Sequence, residues 1–183
     1  MTKKIIFSAN SLWFIYNFYE GLIREFQNKN YEIFVTGKSD HTVELLKEMG
    51  VYVIEIPFAS KSSNPIKDLG ILFNYLKIYK KIKPDCVLNF TIKANIYGAV
   101  AAKYFSIPCI NTQPGLGTVF MYNNLKSLIA KILFKITQNY PLKIFVLNKN
   151  DYNTLLVNKL VPKKKLTIIP GSGIDIDKFS PLV

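Results

Sequence analysis

Lys4-Ile5-Ile6-Phe7-Ser8-Ala9 reads as a short apolar strand, after which Ile15, Phe18, Tyr19, Leu22 and Phe26 recur at helical spacing up to about Asn28. Tyr31–Thr36 predicts a second strand, Ser39 and Asp40 are candidate caps for a helix through Met49, and Val51–Ile56 predicts a third strand. This is a βαβαβ opening. Pro65 stands near the first turn of a long helix whose apolar face reads Leu69, Leu72, Phe73, Leu76 and Tyr79, and which ends before Pro84. Cys86–Phe90, Pro108–Asn111 and Lys143–Leu147 are further strands, separated by helices at about Ala94–Phe105 and Leu125–Tyr140, and Leu166–Ile169 is a last apolar run. Strands that are continuously apolar belong to a parallel sheet covered on both faces. The predicted fold is α/β: a Rossmann-like, doubly wound, mainly parallel sheet with helices on both faces.

At 183 residues, with 49% hydrophobic and 14% aromatic content, the chain can bury a sizeable core without disulfides. Cys86 and Cys109 fall in interior strands without metal-ligand spacing and read as buried reduced thiols. No charged leader precedes an apolar core, and no apolar run approaches a membrane span, so the expected location is cytoplasmic. The net charge is +12, and all basic residues but Arg24 are lysines. Between Pro57 and Tyr140, eleven lysines face only Asp68 and Asp85, and Cys86 to Asn150 contains no Asp or Glu. Such a surface attracts anionic lipid headgroups, phosphorylated ligands or nucleic acid, and charge alone does not choose among them.

In a doubly wound sheet, ligands sit beyond the carboxyl ends of the strands, in the strand-to-helix loops. The first, Asn10-Ser11-Leu12-Trp13, has no glycine and does not suit a dinucleotide pyrophosphate; no phosphate loop of the Gly-x-x-x-x-Gly-Lys-Ser/Thr type occurs. The loop Pro114–Thr118 differs. Gly115 and Gly117 expose backbone amides and permit close approach, and Lys93 in the preceding Thr91–Asn95 loop is a candidate positive charge at the same rim. A tight turn that needs glycine only for its backbone angles is the competing reading. Pro170-Gly171-Ser172-Gly173, followed by Lys178-Phe179-Ser180-Pro181, reads as a flexible crossover toward another domain.

These loops, in this order, resemble the N-terminal domain of family-four glycosyltransferases of GT-B architecture. The resemblance rests on Asn10–Phe18 leading into Gly21-Leu22-Ile23, on Thr91–Gly98, on Ile107-Pro108 through Gly115–Phe120, and on Pro170–Pro181. The polar loop Ser60–Pro65 is similar to the bacterial branch that elongates glycans on polyprenyl-diphosphate carriers for capsule, O-antigen or protein glycosylation. The resemblance implies residues 1–170 as an acceptor-binding domain and 171–183 as the start of an interdomain linker, the donor domain being absent. It further implies Lys93, Asn95, Gly115, Leu116 and Gly117 as acceptor-binding residues, with Asn10, Ser11 and Trp13 lining the rim. Trp13 is placed either against a sugar face or in the core.

In that family the C-terminal domain grips the nucleotide-sugar, here expected to be a UDP-sugar, and supplies two glutamates with seven residues between them. No such pair occurs in this chain, so catalytic residues are expected elsewhere, and neither cofactor nor metal is expected on this domain. Some members carry a histidine in the loop corresponding to Thr112-Gln113-Pro114; this sequence has none there. His41, the only histidine, follows the second strand, where a solvated helix start is its expected role. A retaining transfer, typical of the family, tolerates an acceptor domain without a general base.

Leu125, Leu128, Ile129, Ile132, Leu133 and Ile136 form an apolar stripe with Lys126, Lys131 and Lys135 beside it, which suits either a core helix or attachment to an anionic membrane surface. The lysine-rich segment Lys77–Lys83 suits such attachment or a solvated helix end. The expected partners are a lipid-linked saccharide acceptor, the inner face of the bacterial plasma membrane, and a donor domain or partner chain. Two other classes remain open at this point. One is a non-catalytic subunit that anchors or presents substrate; the other is nucleic-acid binding, which the near absence of arginine disfavours.

Overall fold

The computed structural model describes residues 2–58, 65–117 and 125–173. Seven strands, β1 Lys4–Ser11, β2 Glu32–Lys38, β3 Tyr52–Glu55, β4 Cys86–Phe90, β5 Cys109–Gln113, β6 Lys143–Val146 and β7 Leu166–Ile168, form one sheet in the order β3-β2-β1-β4-β5-β6-β7. Every pairing is parallel. The helices are α1 Leu12–Asn28, α2 Val43–Glu48, α3 Pro65–Ile82, α4 Ala99–Tyr104, α5 Leu125–Thr137 and α6 Lys149–Val157; a π-helical turn, Ala94–Gly98, leads directly into α4. Strand order reverses between β1 and β4, the switch point at which doubly wound sheets open a crevice.

Side chains alternate along β1 and feed two cores. Ile5 and Phe7 pack with Leu12, Ile15, Tyr19 and Ile23 of α1 and Leu46 of α2 on one face. Ile6 packs with Tyr75, Tyr79 and Ile82 of α3, the alanines of α4, Phe134 of α5 and Leu155 of α6 on the other. Both faces are covered, as the continuous apolar strands predict.

Several expectations need correction. On α3 the buried face is Asp68, Ile71, Tyr75, Tyr79 and Ile82, while Leu69 and Phe73 are exposed. Polar satisfaction favours this at Tyr75: its hydroxyl bonds Ser8, whose hydroxyl accepts from Thr36 Oγ1 at 2.9 Å, whereas the Tyr79 hydroxyl is buried without a hydrogen-bond partner among the described residues. Asp40 does not cap its own helix, whose first turn follows Thr42; it accepts from Thr42 and from the Trp13 amide of α1. The first strand runs on through Ser11, so Asn10 and Ser11 belong to it and α1 begins at once. Helix α6 had no counterpart in the periodicity.

Gly171 and Gly173 have φ of 112° and 80°, as a glycine-dependent bend requires. The rest of the expected crossover, 174–183, lies outside the described residues, as do 59–64 and 118–124. Among the described residues no helix is long and apolar enough to cross a membrane.

Candidate functional site

The carboxyl ends of β1, β4 and β5 bring three of the expected loops together. At the β1/β4 switch point, the Asn10 amide donates to Thr91 Oγ1 at 3.1 Å, and Thr91 Oγ1 donates to Asn10 Oδ1 at 2.8 Å. This pair of hydrogen bonds ties Thr91, at φ 76°, to the end of β1. A β-branched residue in the left-handed region is strained by about 1–3 kcal/mol, and such strain concentrates at functional sites.

Two residues on, Lys93 Nζ lies 2.8 Å from Asp68 Oδ1, with side chains 19% and 8% exposed. Asp68 also takes a hydrogen bond from the Tyr97 hydroxyl; burial first, then the Asp68 charge and this bond, push the tyrosine up to about 12. The sequence placed Lys93 at the rim as a positive charge. The structure pairs that charge with Asp68.

Asn95 is wholly buried in the π turn. Its amide nitrogen donates to Thr112 O at 3.0 Å and Gln113 Oε1 at 2.9 Å, and Gln113 in turn donates to the Gly115 carbonyl. Asn95 thus reaches Gly115 through Gln113, as a positioning residue and not as a rim contact. Its own carbonyl accepts from Asn111 Nδ2 at 2.9 Å and Gln138 Nε2 at 3.2 Å, while Asn111 Oδ1 accepts from Asn89 at 2.9 Å. Two side-chain donors on one helix carbonyl favour the widened π turn, a local irregularity often found at functional sites. Gly98 completes the packing: a Cβ there would lie 2.4 Å from Asn89 Oδ1 and 3.2 Å from the Tyr79 hydroxyl.

Gly115 and Gly117 are exposed at the same edge, and Leu116 between them is buried. Gly117 has φ 62°, and a Cβ on it would touch Ile92 at 3.5 Å, so the loop after β5 lies against the loop after β4. At Gly115 a Cβ would meet nothing within 4 Å. The backbone there is open to a ligand.

Ser11 caps α1, its Oγ accepting from the Phe14 amide at 3.3 Å. Trp13 is exposed, with Phe18 edge-on to its ring at 5.9 Å, so the alternative of a core tryptophan does not hold. Its amide donates to Asp40 Oδ2 at 2.8 Å. A carboxylate therefore sits on the helix N-terminus where a dinucleotide fold would place its pyrophosphate. Gly37 closes the same turn from β2, since a Cβ on it would lie 2.9 Å from the Ser11 carbonyl carbon.

Asp68, Thr91, Gly98 and Gln113 were not singled out as site residues, although Thr91, Gly98 and Gln113 lie in the loops and motifs named from the sequence. Asp68 left a fainter trace: it is one of two acids among eleven lysines between Pro57 and Tyr140.

The architecture has known counterparts. A family model described as glycosyl transferase 4-like matches residues 4–148. The chain belongs to this family. Among curated relatives, it is 25% identical over 173 residues to the N,N'-diacetylbacillosaminyl-diphospho-undecaprenol alpha-1,3-N-acetylgalactosaminyltransferase of Campylobacter jejuni, covering 92% of this chain and 46% of that protein. It is also 25% identical over 169 residues to the UDP-Gal:alpha-D-GlcNAc-diphosphoundecaprenol alpha-1,3-galactosyltransferase of Escherichia coli, covering 88% and 42%. The chain thus spans a little under half the length of these two relatives. Among solved structures, the Anabaena protein Alr3699/HepE in complex with UDP and glucose superposes with a TM-score of 0.66 at 14% identity, over 96% of this chain and 46% of that one. Acinetobacter baumannii MurG gives 0.62 at 14%, over 97% and 47%. These two likenesses concern the fold. The glycosyl transferase 4-like match spans β1 through β6 and the loops between them, and β7 lies beyond it.

Proposed function

We propose that this chain is the acceptor-side half of a nucleotide-sugar-dependent glycosyltransferase that extends a saccharide carried on a polyprenyl diphosphate. The observation that carries the reading is the family match joined to the two relatives, both of which are named for acceptors on diphospho-undecaprenol. The E. coli relative is named for UDP-galactose, which supports a UDP-sugar donor for the whole protein, held outside the residues described here.

The acceptor lies across Asn10, Thr91–Lys93 and Gly115–Gly117, with Trp13 beside it for a sugar face. The exposed amides of the Gly115–Gly117 turn suit diphosphate or sugar hydroxyls. Asp68 is committed to Lys93 and Tyr97, which leaves it poorly placed as a general base. That supports a retaining transfer: the acceptor oxygen bonds the anomeric carbon, the bond to the donor phosphate breaks on the same face, and a phosphate oxygen takes the acceptor proton.

The exposed face of α5 supports work at a membrane. Leu125, Leu128, Ile132 and Ile136 are between 49% and 72% exposed, whereas Phe134 on the opposite side is buried. Of the stripe, Ile129 and Leu133 are half-buried and Leu133 packs against the core, so the other four residues form its outward edge, and lysines beside it match the charge of an anionic inner leaflet. This supports work at the inner face of the bacterial plasma membrane, extending a surface glycan.

Binding of the chain to undecaprenyl-diphosphate-linked saccharides and to UDP-sugars tests the reading. Acceptor binding that is lost in Gly115→Val, whose Cβ meets nothing within 4 Å, is the expected result. Tight UDP-sugar binding without acceptor binding would overturn it.

A further inference from the structure

A cavity of about 480 Å³ opens at the amino edge of the sheet, between the ends of α5 and α6 and the turn through Pro162 and Lys163. Its floor is apolar, from Leu156, Leu160 and Val161, and its walls carry Lys135, Lys159 and Lys163. All three lysines are exposed, and none forms an ion pair with a described carboxylate. Asp151, the one acid between residues 86 and 173, is bound to Asn148 at the opposite end of α6. Among the described residues the positive charge is therefore locally uncompensated.

Its surroundings add to it. Lys165 donates to the Asn139 and Pro141 carbonyls at 2.6 and 2.8 Å, and its ammonium is pushed down first by burial and then by the charge of Lys164. Lys159 has φ 51°, so a lysine stands in the left-handed position after α6, where glycine is less strained. On α5, Lys135 is three residues beyond Ile132 and about 60° from it around the axis, so the cavity adjoins the exposed apolar stripe.

We propose that this cavity receives the phosphate of an anionic membrane lipid while the α5 stripe lies against the acyl region. The proposal rests on the membrane-facing reading of α5. A free phosphate shares the chemistry of the three ammonium groups but gains nothing from exposed Leu128, Ile132 and Ile136. A lipid uses both.

Sedimentation with phosphatidylcholine vesicles, with and without phosphatidylglycerol, tests this at physiological ionic strength. The triple variant Lys135→Gln, Lys159→Gln, Lys163→Gln is expected to lose about tenfold or more of its binding to anionic vesicles and to keep its binding to neutral ones. A charge-matched variant with Lys77, Lys80 and Lys81, all exposed on α3, changed to Gln is expected to lose much less. Equal losses would overturn the cavity and leave only net charge. Leu128→Ser with Ile132→Ser separates the premise: unchanged vesicle binding there removes the membrane-facing reading, whereas loss there with no effect of the cavity lysines removes the lipid site alone. Lysine-dependent binding of inorganic phosphate in calorimetry, without preference for anionic vesicles, would assign the cavity to a soluble anion and overturn the lipid.

Discussion

Lys93 Nζ and Asp68 Oδ1, 25 positions apart in the chain, meet at 2.8 Å at the carboxyl edge of the sheet. Removing one partner of so enclosed a pair leaves a charge without its counterion. Asp68→Asn should therefore destabilise the fold by roughly 3 kcal/mol, the usual range for breaking a buried pair. The double variant Asp68→Asn, Lys93→Met should recover much of that loss in denaturant melts. A double variant no more stable than the single one would show that the pair does not act as a unit.

Thr91 separates strain from bonding. Thr91→Gly relieves the backbone at φ 76° but loses the bonds with Asn10, whereas Thr91→Val keeps the branched shape and loses only the bonds. Thr91→Val is expected to be the less stable variant by about 1–2 kcal/mol, and thermal unfolding of the two checks the order.

Glycines at the two ends of the site should behave oppositely. Gly98→Ala forces a methyl to within 2.4 Å of Asn89 Oδ1 and should cost roughly 1–3 kcal/mol, as overpacking does. Gly115→Ala meets open space and should leave the melting curve unchanged while weakening acceptor binding.

Asp40 gives a pH signature. Burial opposes its ionisation, but hydrogen bonds from Thr42 and the Trp13 amide outweigh this, and with His41 nearby its carboxyl is held below the ordinary range. A carboxyl with a depressed native pKa adds stability above its unfolded value near 3.9, and that stability is lost as pH falls through the lower native value. Asp40→Asn should weaken the fold by about 1 kcal/mol at neutral pH, a typical cap, and reduce the acid sensitivity below about pH 4. Urea titrations at pH 7 and pH 3 measure both.

Cys109, raised to about 12 by burial first and then by the neighbouring Cys86, should resist alkylation at pH 8 in the folded chain. Burial raises Cys86 as well. Both thiols should react once the chain is unfolded, as mass spectrometry would register.

The strands were legible because a covered parallel sheet needs unbroken apolar runs: Cys86–Phe90 has the bounds its sequence predicts. The face of α3 was legible in part: of the predicted stripe Tyr79 is buried and Leu72 and Leu76 pack against the core, while Leu69 and Phe73 turn outward and Ile71 and Tyr75 take the interior. The choice between them depends on Ser8 and Thr36, hydroxyls on two other strands. Helix α6 lacked a clear apolar period, yet its start was written in Asn148 and Asp151, whose side chain and amide bonds at 2.9 and 2.8 Å form a reciprocal cap. At the candidate site, strand ends marked the loops that carry Lys93 and the Gly115–Gly117 turn. Asp68 could not be found in this way, since its meeting with Lys93 is made by tertiary packing, and Asn95 looked like a loop residue until the π turn drew it inside.

Gln138, just beyond α5, donates to the Asn95 carbonyl and accepts from Asn111 at 2.8 Å. The helix with the outward apolar stripe is thereby riveted to the amides that brace the Gly115 turn. A surface that fixes the pose of this helix also fixes the aim of the turn, so height above the surface and reach toward a substrate become one adjustment.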